Sequence, residues 1–231
     1  MKKIATLFTA LFFAASFQSK AQSCMGVPMK EGSGYEMISY DGKGKASGTI
    51  TYKITKVSSE GGLTLVEMNM QSMDKKGKEQ MTNTYKLRCD GNQMMLDASS
   101  MLGEEQQKMF QNFEMKMTSN DIVYPGKLTA GQTLKDASMH GEGSSGPLAM
   151  TFDMDIKNRK VEAQEKVTVP AGTFDAHKIT SDMTVKSKMG IGMTLDFQSV
   201  SYRAPGVLWD VKTESYRKGK LVGYTELSKI F

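Results

Sequence analysis

The chain has 231 residues, of which 39% are hydrophobic, 8% aromatic and 24% charged, and its formal net charge is +5. Lys2, Lys3 and Lys20 fall in the first 21 residues with no acid beside them, so residues 22–231 hold 27 basic against 25 acidic side chains, a net +2. A balance that even removes the case for nucleic acid or an anionic membrane surface as partner, and about 210 residues suit one all-β domain.

Residues 1–21 read as a secretory signal peptide. Lys2 and Lys3 make a positive start, Ile4–Phe17 is apolar but shorter than the roughly 20 residues of a bilayer span, and Ser19-Lys20-Ala21 places small residues at −3 and −1 of a cleavage site. Charges interrupt every later apolar run, so no transmembrane span is expected. The mature chain, 22–231, is expected to be periplasmic, secreted or at the cell surface.

Cys24 and Cys89 follow. In an oxidising compartment an even pair points to a disulfide. Two free thiols are the plain alternative. A lipid anchor on Cys24 ranks third, because Lys20 and Ala21-Gln22-Ser23 approach it poorly.

Strand-like alternation starts at Ile50, Tyr52 and Ile54. Met68 and Met70 share a face, while Met73 is out of register with them, which sets a Cu(I) site behind plainer uses of methionine. Ser100 to Gln111 reads as the one short helix, with Glu104 and Glu105 early and Met101, Met109 and Phe110 available for burial. Phe113, Met115 and Met117 alternate again. Met139 to Gly146 reads as a mobile Gly/Ser loop around His140. The clearest runs are Leu148, Met150, Phe152, Met154, Ile156 and then Met189, Ile191, Met193, Leu195, Phe197; Val207, Trp209 and Val211 form the last. Each has a wet opposite face, the mark of antiparallel sheet. Turns at Asp41-Gly42-Lys43-Gly44, Ser59-Glu60-Gly61-Gly62, Lys76-Gly77-Lys78, Asp90-Gly91-Asn92 and Lys218-Gly219-Lys220 separate the runs. At the usual strand length, about ten to twelve strands are expected.

Chemistry is sparse. The two histidines, His140 and His177, fit no metal spacing, and nucleophile-elbow, phosphate-loop and dinucleotide motifs are absent. No catalytic residue, metal or cofactor is expected. Methionine is the anomaly, 20 in the whole chain. It serves first as core filler, next as the wall of a deformable pocket.

Several segments resemble a known family together: Tyr124-Pro125-Gly126-Lys127-Leu128 with Gly131-Gln132-Thr133-Leu134-Lys135-Asp136, Val167-Thr168-Val169-Pro170-Ala171-Gly172-Thr173-Phe174-Asp175-Ala176, the mature start with Cys24, Lys30-Glu31-Gly32 and Tyr40-Asp41-Gly42-Lys43-Gly44-Lys45, and Ala204-Pro205-Gly206-Val207-Leu208-Trp209. They are similar to the TapB-like secreted proteins of Gram-negative bacteria, a domain-of-unknown-function family, here of Bacteroidetes type. The resemblance spans essentially the whole mature chain. It implies an all-β fold built on a strongly curved antiparallel sheet, a half-barrel or β-roll, and carries no catalytic residues to transfer.

The expected function is an exported, non-enzymatic cell-envelope protein holding a lipid or other hydrophobic ligand in the curved sheet. Met150, Phe152, Met154, Met189, Met193 and Phe197 are the candidate pocket residues. The alternative is a structural module contacting another envelope protein; a hydrolase using His177 is third.

Overall fold

Three aspartates start hairpin turns by the same device. The Asp41 carboxylate accepts from the N–H groups of Lys43 and Lys45, Asp74 from those of Lys76 and Lys78, and Asp90 from those of Asn92 and Gln93, all at 2.8–3.0 Å. These bonds favour the ionised form and hold Asp41 and Asp90 below the usual carboxylate range. The computed structural model describes residues 22–231, and the segment 1–21, read above as a signal peptide, lies outside the described residues.

A short hairpin, β1 (Ser23–Cys24) with β2 (Val27–Pro28), precedes the long strands β3 (Gly34–Asp41), β4 (Ala46–Glu60), β5 (Leu63–Asp74), β6 (Glu79–Cys89) and β7 (Gln93–Asp97). A 3-10 turn (Ala98–Met101) and the helix α1 (Glu104–Asn112) interrupt the run. Then come β8 (Lys116–Ser119), β9 (Asp121–Pro125), β10 (Ala137–Ser145), β11 (Leu148–Val169), β12 (Gly172–Met189), β13 (Ile191–Arg203), β14 (Asp210–Arg217) and β15 (Lys220–Ile230).

Thirteen strands form one antiparallel sheet in the order β8-β10-β11-β12-β13-β14-β15-β3-β4-β5-β6-β7-β9. Its two edge strands, β8 and β9, are consecutive in the chain and separated only by Asn120. At 3.8 Å per residue the two edges must then lie within about 8 Å of each other at that corner. The sheet therefore curls until it nearly closes into a barrel-like shape. Asn120 ties the corner to β10 in both directions: its N–H donates to the Ser138 carbonyl at 3.1 Å, and its side-chain oxygen accepts from the Ser138 N–H at 2.6 Å. The inner face carries the core, in which Met37, Met68, Met70, Met94 and Met139 are fully buried beside Leu87, Leu208 and Leu227. Met68 and Met70, weighed as soft-metal ligands, are packed core side chains.

The structure corrects several expectations. Fifteen strands occur among the described residues rather than ten to twelve. The helix is shorter than Ser100–Gln111, because the 3-10 turn takes its start. Met139–Gly146 is not a mobile loop but lies largely within β10, paired on both sides by β8 and β11. Its glycines answer to packing: a Cβ on Gly143 would strike the backbone of Phe113 and Met115, and one on Gly141 the side chains of Met117 and Met115. Gly143→Ala is accordingly expected to cost about 1–3 kcal/mol, read as a lower urea midpoint at unchanged slope. Gly141→Ala costs less, since Met115 and Met117 can move aside. Equal losses would show that backbone contact is not what selects glycine at 143.

The run Met189–Phe197 is not one strand. Gly190, at φ +76°, reverses the chain between β12 and β13, a conformation that glycine reaches without strain.

Within β10, the His140 Nδ1 lies 2.6 Å from Asp153 Oδ1 on β11. This bond raises the imidazole pKa above its ordinary 6.5. An NMR titration is expected to show a His140 midpoint above 6.5, lowered by Asp153→Asn. A histidine with a raised folded pKa stabilises fully below the unfolded pKa, and its contribution fades as pH rises through the folded one. An unshifted midpoint would remove this pair from the account.

Candidate functional site

The interior of the curl is not filled. Ser181 on β12, Ser199 on β13 and Ser215 on β14 are register partners in one row, and Ser201 faces the same space. Short side chains on these strands leave room that leucine or methionine would occupy. The result is a cavity of about 360 Å³. Its apolar walls include Met94 and Leu96 on β7, Met101, Ile122 on β9, Ile156 on β11, Met183 on β12 and Phe197 on β13. Trp209 closes one side, its ring 4.6 Å from that of Tyr52 and 5.4 Å from that of Tyr85. Burial raises the pKa of both phenols, so both stay neutral.

Three charged side chains line this cavity as well: Arg159, Arg203 and Asp210. Arg203 and Asp210 are cross-strand partners on β13 and β14. Arg203 donates from Nη1 to Asp210 Oδ1 at 3.0 Å and from Nη2 to the Leu208 carbonyl at 2.6 Å. Arg159, 2% exposed, donates from Nη1 to the Val123 carbonyl at 3.2 Å and to the Lys135 carbonyl at 2.6 Å. The first of these bonds also links β11 to β9 across the closing edges. Both guanidinium groups lie over the Tyr124 ring, 4.7 Å away for Arg159 and 4.0 Å for Arg203. Burial pushes the Asp210 carboxyl up, and the two arginines pull it back.

Arg159 faces inward because of a bulge. From Met150 to Ile156 the even-numbered residues of β11 are buried. Asn158 then adopts φ +53°, and the register with β12 shifts between Lys157 and Lys160. The parity reverses, so Arg159 and Val161 turn inside. An asparagine breaking a clean alternation is a visible signal for such a bulge, since it tolerates positive φ.

Of the pocket residues read from sequence, Phe197 lines the cavity. Met150, Phe152 and Met154 point to the same side but are buried as core, with Phe152 packed on Phe110 of α1 at 5.1 Å between ring centroids. Met189 and Met193 lie outside it at the β12–β13 tip, 50% and 53% exposed, with Ile191 between them at 92%. Arg159, Arg203, Asp210, Tyr124 and Trp209 were not among the sequence candidates, although Tyr124 and Trp209 belong to two of the segments that carry the family resemblance. The histidines do not meet. The register sets His140 level with Lys186 of β12, nine residues from His177 and so about 30 Å away along the strand. Cys24 and Cys89 are joined in a disulfide that ties β1 to the end of β6, which leaves no thiol on Cys24 for a lipid anchor. No helix among the described residues is long and apolar enough to cross a membrane.

A larger hollow of about 650 Å³ lies between α1 and β6, open to solvent and lined by Lys86, Glu104, Gln107, Lys108 and Glu114 among others. Leu102, Phe110, Met115 and Met117 give it apolar walls too, but it is the more open of the two, and the cavity inside the curl is the stronger site.

Fold and cavity together define one antiparallel sheet curled around a charged, apolar-walled space. The DUF3108-like family model matches residues 30–227, and the chain belongs to that family. Two solved structures share the fold. One, a proposed lipoprotein from Parabacteroides distasonis, is 24% identical, with a TM-score of 0.68 over 91% of this chain and 100% of its own. The other, a proposed exported protein with a YmcC-like fold from Bacteroides fragilis, is 18% identical, with a TM-score of 0.63 over 89% of this chain and 98% of its own. No curated protein matches the sequence.

Proposed function

We propose that this chain is an exported, non-enzymatic protein of the cell envelope, of TapB-like kind, that shelters an apolar ligand inside its curled sheet. One observation carries the reading: a cavity of about 360 Å³ inside the curl, walled by methionine, leucine, isoleucine and aromatic side chains. That volume falls in the range of roughly 300–1,000 Å³ typical of ligand pockets. Flexible thioethers let such a wall adapt to its guest. Organic extraction of the purified protein followed by native mass spectrometry tests it, with an apolar compound bound near one per chain as the expected result. A protein that carries no such compound and takes up no apolar fluorescent probe would overturn the reading.

A second reading has its own support. Met189, Ile191 and Met193 expose an apolar tip, with Leu148 (55% exposed) on the neighbouring β11, the kind of surface that contacts another envelope protein. Crosslinking of the intact protein before and after Ile191→Ser separates this role from ligand storage, which that substitution leaves intact.

A further inference from the structure

The polar wall of the cavity is out of balance. Two guanidinium groups, Arg159 and Arg203, face one carboxylate, Asp210. Arg203 spends its donors on Asp210 and the Leu208 carbonyl. Arg159 uses Nη1 on two carbonyls, and Lys135 supplies only its backbone oxygen there. The Arg159 Nη2 is buried and has no hydrogen-bond partner. An unpaired guanidinium nitrogen away from water is costly, and so is an uncompensated buried charge. Arg159 and the apolar walls line the same cavity.

We propose that the sheltered ligand is an aliphatic carboxylate, its apolar body against Met94, Leu96, Ile122 and Met183 and its carboxylate on Arg159 Nη2. This inference rests on the apolar-ligand reading above and narrows it to one chemical class. Charge selects the carboxylate: it cancels the single excess positive charge of the cluster, whereas a phosphate monoester brings about −1.5 to −2. A guanidinium also matches a carboxylate in geometry, offering paired N–H groups to its oxygens.

The test displaces a neutral apolar probe from the delipidated protein with laurate, 1-dodecanol or dodecyl phosphate, which share one chain. Laurate is expected to bind about 100-fold tighter than dodecanol, the scale of a desolvated charge pair. Arg159→Met should bring that ratio close to one, and Arg159→Lys should retain part of it. Equal binding of acid and alcohol by the unaltered protein overturns the proposal while leaving the apolar-ligand reading standing, and so does tighter binding of dodecyl phosphate. Binding of none of the three removes the broader reading as well. Should Arg159→Met fail to fold, laurate labelled with carbon-13 at its carboxyl gives a second readout. Its bound carboxyl resonance is expected to move when Arg159→Lys replaces the unaltered protein, and a resonance that stays in place overturns the proposal.

Discussion

Replacing Cys24 and Cys89 together by alanine is expected to lower the thermal midpoint by about 10 °C. The disulfide joins residues 65 apart in sequence. In the chain-entropy model, releasing a loop of that length costs about 4 kcal/mol, and each kcal/mol moves the midpoint of a chain this size by about 2–4 °C. Both cysteines are fully buried, so alanine removes the cross-link without placing a polar atom in the core. Thermal unfolding followed by circular dichroism decides the matter. A shift under about 3 °C would mean that packing of Val27 and Met29, not the covalent link, holds the first hairpin on the sheet.

Arg203→Met should be as damaging, by about 3–5 kcal/mol, because it strands the buried Asp210 carboxylate without its partner. The loss has a signed pH dependence. Asp210 already has a raised pKa in the folded protein, from burial. An acid raised in this way binds its proton more tightly folded than unfolded. Its contribution to stability therefore falls as pH climbs from the unfolded pKa through the folded one. Without Arg203 the folded pKa moves higher still. The destabilisation is thus expected to be larger at pH 7 than near pH 4. Chemical unfolding at the two pH values measures this, and a loss equal at both would show that the Leu208 hydrogen bond and side-chain packing, not the charge pair, account for Arg203's role.

Local pattern carried much of the fold into view before any coordinates. The alternation from Met150 to Ile156 is a strand with those side chains inside, and the five turn segments all lie between successive strands. What stayed hidden was non-local. No stretch of sequence announces that β8 and β9 lie at opposite ends of one sheet, although a single residue joins them. The Gly141/Gly143 segment resembles a loop because its glycines answer to Phe113 and Met115, which reach it only through folding. At the site, Phe197 was legible as an inward apolar residue. Arg159 was not, because one bulge at Asn158 reverses the inside and outside of the strand, and a charged residue read by simple alternation falls outside. The emptiness of the cavity was equally hidden, since it depends on serines of three strands falling in one row.

The sheet order has a consequence for how the chain comes to be folded. β3, near the start, pairs with β15, near the end, and Gly34 exchanges backbone hydrogen bonds with Phe231 at 2.8 and 3.0 Å. On either side of that junction the strands are largely joined to sequence neighbours by tight hairpins, which close quickly. The junction itself spans almost the full chain, so it forms slowly and late. Two half-sheets can therefore assemble while the middle of the molecule is still open. A polypeptide threaded across a membrane from its front end would remain pliable until β15 emerged, and only then lock shut.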